Sequence, residues 1–90
     1  RGACLAGASI SDRVRPGVVV LPTGAWYDPL DPSDPKTLDV HGNPNVLTRD
    51  VGTSTLAQQC SAHSCLVDVE LFEEPLPPIR AFEPPPITVR

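Results

Sequence analysis

Val14-Arg15-Pro16-Gly17-Val18-Val19-Val20-Leu21-Pro22 sets four consecutive branched apolar residues between a Pro-Gly pair and a closing proline. β-Branched side chains suit a pleated surface, and a bounded run this short predicts a buried strand entered through a turn. Further along, residues 66–71 read LVDVEL. Val67, Val69 and Leu71 face one way and Asp68 and Glu70 the other, which predicts a half-buried strand.

Between these segments, Gly52-Thr53-Ser54-Thr55-Leu56-Ala57-Gln58-Gln59 is the one stretch with helical character. Thr55 and Gln58 have capping-box spacing, and Ser54 or Asp50 could also cap. Cys60-Ser61 has turn chemistry and a strand follows, so the helix has room for only about two turns. Residues 27–40 read as a proline- and aspartate-rich loop. Twelve prolines are more than twice the usual share, and six of them fall between Pro75 and Pro86. They exclude long helices and predict an extended stretch after Glu73. The expected organisation is a mainly β domain over residues 1–72 and a proline-rich tail over 73–90.

Ninety residues make at most one small domain. Leu, Ile, Val and Phe number 24 of the 90, above the level of a disordered chain. There is no methionine, and Arg1-Gly2-Ala3-Cys4-Leu5 reads as the middle of a strand. A piece of a longer protein is therefore expected. No stretch has the pattern of a signal peptide or a membrane span. The net charge of −4 argues against a general nucleic-acid binder. The acidic residues of 28–34 and Glu73-Glu74 are expected to solvate loops. Three cysteines cannot complete a disulfide framework and point towards a reducing compartment.

Four motifs carry possible chemistry. Cys60-x-x-His63-x-Cys65 contains zinc-ligand types, but no second ligand pair accompanies it, and inert thiols are the plainer reading. Cys60 with His63 as nucleophile and base lacks an oxyanion loop. Pro75-x-x-Pro78-x-Arg80 matches a proline-rich ligand pattern, against which a tail packed on the domain is preferred. Trp26-Tyr27 is half the aromatic content on one loop and could be either a ligand wall or an anchor. The polar turn His41-Gly42-Asn43-Pro44-Asn45-Val46-Leu47-Thr48 and the cluster Ala62-His63-Ser64 are different in kind. An asparagine carboxamide offers a donor and an acceptor side by side, which suits the amide edge of a planar heterocycle.

These residues carry a resemblance. Val14-Arg15-Pro16-Gly17-Val18-Val19, Gly24-Ala25-Trp26-Tyr27-Asp28-Pro29, the turn at 41–48, and Asp50-Val51-Gly52-Thr53-Ser54-x-Leu56-Ala57-Gln58 occur in this order in one family. Over residues 1–72 the chain resembles the C-terminal part of the molybdopterin-dinucleotide-binding domain of dimethyl sulfoxide, trimethylamine N-oxide and biotin sulfoxide reductases. The resemblance implies a six-stranded double-psi β-barrel, here incomplete, with one short helix. It implies a bis(molybdopterin guanine dinucleotide) molybdenum cofactor approached by Asn45 and Val46 and by Ala62, His63 and Ser64. Gln59 stands where glycine is common. His63 stands where some members carry glutamine, and it keeps a planar side chain with donor and acceptor nitrogens. Oxygen-atom transfer in the family occurs at a metal with a serine ligand from an earlier domain, and no residue here matches that motif. This chain by itself is thus expected to bind rather than catalyse, with the remaining domains of a bacterial enzyme, cytoplasmic or periplasmic, as its partners. Neither nucleic acid nor membrane is expected as a partner. The alternative is a free-standing β-domain that binds a small ligand or a protein through the same loops.

Overall fold

The computed structural model describes residues 2–59 and 65–89. Three extended segments meet at Asp39. Cys4 bridges it in parallel and Pro29 bridges it antiparallel. We name them β1 (residues 3–5), β2 (28–30) and β3 (38–40), with β3 in the middle. On one side Asp39 donates its N–H to the Ala3 carbonyl at 3.0 Å and accepts from Leu5 N–H at 2.8 Å. On the other, Leu30 donates to Leu38 O and Val40 to Asp28 O, both at 2.9 Å. The start of the chain is therefore strand-like, as its sequence suggested. The loop expected over 27–40 contributes two of the three segments.

The 31–37 excursion between β2 and β3 is held by its own polar side chains. Asp31 accepts from the Ser33 hydroxyl at 2.7 Å and from its N–H at 2.9 Å, and Asp34 accepts from Lys36 N–H. Those Ser33 bonds, the hydroxyl first, hold the Asp31 carboxyl below its ordinary range. Asp31 and Asp34 are exposed loop residues, as expected. Asp28 is not: it is 5% exposed and belongs to the interior.

The strands expected at 14–22 and 66–71 are not buried here. Val18, Val19 and Val20 are 48–70% exposed, and Val69 and Leu71 are 73% and 85% exposed. Their sequences carry the right pattern for a sheet, but between described residues the β-bridges all involve Asp39. Val40 is the buried apolar residue of the described core. The Cα radius of gyration is 15.8 Å, against about 12 Å for a compact chain of this length.

The helix expected over 52–59 does not form. Ser54 donates its N–H forward to Ala57 O at 3.1 Å, and Thr53 donates to Gln59 O at 3.0 Å. That polarity is the reverse of a helix, in which each N–H points back towards the preceding turn. Ser54 Oγ also accepts from the N–H of Leu56 and Ala57, and Thr53 Oγ1 donates to Ala57 O. Short hydroxyl side chains have captured the backbone groups a helix would need. The short helix of the described residues is instead a single 3₁₀ turn at Pro44–Val46.

Candidate functional site

The polar turn is assembled by local rules. Asn43, in extended conformation, caps the 3₁₀ turn by accepting from Asn45 N–H at 2.9 Å. Pro44 occupies the first helical position, where its missing N–H costs nothing. Leu47 N–H closes the turn on Pro44 O at 3.0 Å. Gly42 has φ +83°, a left-handed conformation that glycine adopts without steric cost. A Cβ there would lie 3.3 Å from the Leu5 carbonyl oxygen of β1. Gly2 abuts the other end, since a Cβ on it would sit 2.5 Å from Val46 O. The N-terminal segment thus supports the turn from behind.

Long-range bonds fix the turn to the 25–28 loop. Asn43 Nδ2 donates to Ala25 O at 3.0 Å, and His41 Nδ1 bonds Trp26 O at 3.0 Å. A carbonyl only accepts, so Nδ1 carries the proton in that contact. Beneath both loops Asp39 is fully buried, with one carboxyl oxygen accepting from Asp28 N–H at 2.8 Å and the other from Asn43 N–H at 2.7 Å. Asp28 in turn accepts on Oδ2 from the N–H groups of Arg80 and Ala81, at 2.6 and 3.0 Å. The Phe82 ring meets His41 edge-on, centroids 5.0 Å apart. The tail therefore packs on the domain at Arg80 to Phe82, in line with the plainer reading of its proline pattern. Burial, and secondarily the charge of Asp39, pushes the Cys4 thiol up from its ordinary pKa.

Of the residues singled out from sequence, Asn45 is exposed, and its carboxamide takes no hydrogen bond among the described residues. Val46 is half-buried. Ala62, His63 and Ser64 lie outside the described residues, and so does Cys60 of the cysteine–histidine motif. Cys65 is exposed with a free thiol, and no metal-binding cluster occurs among the described residues. Trp26 and Tyr27 are 69% and 50% exposed, so the backbone of their loop, not their rings, anchors it. Asp28 and Asp39 were missed as site residues. A local signal existed only for Asp39, which lies four residues before the Asn43 N–H that it accepts; the donors to Asp28 are 52 and 53 residues away.

The arrangement is a preformed turn that presents a planar donor–acceptor group outward from a rigid polar base. The molydopterin dinucleotide binding domain family matches this sequence over residues 1–66. The chain is 52% identical over 85 residues to the trimethylamine-N-oxide reductase of Salmonella typhimurium, covering 94% of this chain and 10% of that protein. It is 54% identical over 70 residues to the biotin sulfoxide reductase of Cereibacter sphaeroides, 78% of this chain and 9% of the relative. A dimethyl sulfoxide/trimethylamine N-oxide reductase of the same organism is 47% identical over 85 residues, 94% and 10% respectively. The chain thus spans about a tenth of the length of the curated relatives it matches. No solved structure matches it.

Proposed function

We propose, from the premise that the chain belongs to the molydopterin dinucleotide binding domain family, that its 41–48 turn holds one end of a bis(molybdopterin guanine dinucleotide) molybdenum cofactor. The parent protein would be a bacterial oxidoreductase, cytoplasmic or periplasmic, that reduces an S- or N-oxide. The names and lengths of the relatives support this reading over a free-standing binding module. No helix among the described residues is long and apolar enough to cross a membrane.

The observation that carries the proposal is Asn45. A carboxamide that is exposed and unpartnered among the described residues, on a turn fixed by the bonds of Asn43 and of its own N–H, is ready to pair with a heterocyclic amide edge. The residues present therefore fit the cofactor. Asn45 would bind its edge, Val46 would back that side chain, and the family resemblance adds Ala62, His63 and Ser64 from the second loop. The bound cofactor supplies the oxygen-atom transfer; this chain orients it and shields one flank from water. The exposed apolar residues of 18–20 and 66–71 suit strands whose sheet partners lie elsewhere in the parent protein, and they support a six-stranded double-psi barrel completed there.

The test is cofactor content of the full-length protein, measured as molybdenum by elemental mass spectrometry and as guanine released by acid hydrolysis. Asn45→Ala removes donor and acceptor together. Leaving the cofactor's partner groups unpaired costs on the order of 1–3 kcal/mol, or roughly tenfold to hundredfold weaker retention. Apo-protein stability should not change, because the side chain is exposed and supports no core. Full occupancy in both Asn45→Ala and Asn45→Asp would refute the contact.

A further inference from the structure

We infer that Asp28 is a positioning residue that straps the 80–82 segment to the base of the 41–45 turn, so that tail docking and cofactor retention are coupled. The inference rests on the cofactor reading for its functional consequence, but not for the strap itself.

The coupling follows a continuous run of bonds. Arg80 and Ala81 donate consecutive N–H groups to one oxygen of Asp28. Asp28 donates its own N–H to Asp39 Oδ1, Asp39 Oδ2 accepts from Asn43 N–H, and Asn43 Oδ1 accepts from Asn45 N–H. Each link is a group with a fixed partner, so a shift at Asp28 is passed on as a shift of the residue that carries the ligand-facing carboxamide. A second route runs in parallel: Phe82 contacts the ring of His41, whose Nδ1 is tied to Trp26 O beside Asp28. Phe82 is otherwise 77% exposed, which a ring placed for core packing would not be. Val40 N–H bonds the Asp28 carbonyl, so the Asp28 backbone is fixed while its side chain reaches out to the tail. A buried carboxyl that gathers two N–H donors more than fifty residues away is a clasp between separate parts of the chain.

Trypsin reads the strap directly, because the bond it cuts after Arg80 lies between the two strapped amides. The experiment uses the full-length protein with its cofactor, and compares Asp28→Ala, Asp28→Asn and Phe82→Ala with the parent sequence. Asp28→Ala should speed cleavage after Arg80 roughly tenfold or more, since both donors lose their acceptor. It should also lower molybdenum and guanine content by a similar factor, and speed amide exchange at Asn43 and Asn45. Asp28→Asn retains an acceptor oxygen and should restore the strap, the exchange rates and the cofactor content. Phe82→Ala, an exposed change that keeps the fold, should move the same readouts in the same direction by less, and it carries the test if Asp28→Ala does not fold. Faster cleavage with unchanged exchange at Asn43 and Asn45 would overturn the coupling. Faster exchange there with unchanged cofactor content would overturn the positioning role. If Asn45→Ala and Asn45→Asp both keep full cofactor, the Asn45 contact fails separately, and the strap then stands or falls on exchange alone.

Discussion

Replacing Asp39 tests the polar base more sharply than any apolar substitution could. Its side chain is fully buried and receives two backbone N–H groups, from Asp28 at 2.8 Å and Asn43 at 2.7 Å. Asp39→Ala strands both. A buried donor without a partner costs about 1–3 kcal/mol, so the two together cost about 2–6 kcal/mol, a large part of the stability of an ordinary domain. Asp39→Asn has nearly the same shape but one acceptor oxygen and one NH₂ group. It can satisfy one N–H and must set a donor against the other, at a cost of about 1–3 kcal/mol. The assay is hydrogen exchange resolved to single amides in the full-length protein. In the alanine variant both the Asp28 and Asn43 amides should exchange at least roughly thirtyfold faster, the factor equivalent to 2 kcal/mol. In the asparagine variant one of the two should accelerate while the other stays protected. Unchanged rates in the alanine variant, or two fully protected amides in the asparagine variant, would refute the claim that this carboxyl holds both loops.

Gly42→Ala forces a Cβ into a left-handed conformation at φ +83° and to 3.3 Å from Leu5 O. It should destabilise the turn by about 1–2 kcal/mol, seen as roughly tenfold faster exchange of the Leu5 and Asn43 amides, and parental rates would contradict the fit described. Cys65 is exposed, whereas Cys4 is half-buried with its thiol pKa raised by burial and then by Asp39. A raised pKa leaves less thiolate, so iodoacetamide at pH 8 should label Cys65 before Cys4. Asp39→Asn removes the smaller of the two causes and should quicken Cys4 without bringing it level with Cys65. Equal labelling in the unmodified sequence would count against the burial of Cys4.

The turn at 41–48 was legible because its determinants are local. Gly42 supplies the left-handed step, Asn43 the cap and Pro44 the first position, and each acts within a few residues. Asp28 was not legible, and Asp39 only through its short-range bond to Asn43. Their partners lie 11, 52 and 53 residues away in three of the bonds, and nothing in a window around Asp28 distinguishes it from the exposed Asp31 and Asp34. The helix at 52–59 failed for a different reason. Capping-type residues placed within the segment, rather than at its edge, turned the chain back on itself. The apolar patterns at 14–22 and 66–71 are sound as strand signals, but pattern reports which face of a strand is apolar and not whether its neighbour belongs to the same ninety residues.

The clasp at Asp28 also fixes an order of events during synthesis. β1, β2 and β3 can pair once residue 40 has left the ribosome, and the Asn43 cap follows a few residues later. The Asp28 side chain cannot collect its two remaining donors until Ala81 has left the ribosome, because those bonds span 52 and 53 residues. Closing so long a loop is slow relative to forming a local turn. On the nascent chain the Asn45 turn therefore exists first in an unstrapped form, and it gains the support of the Asp28 clasp only when the 80–82 segment docks.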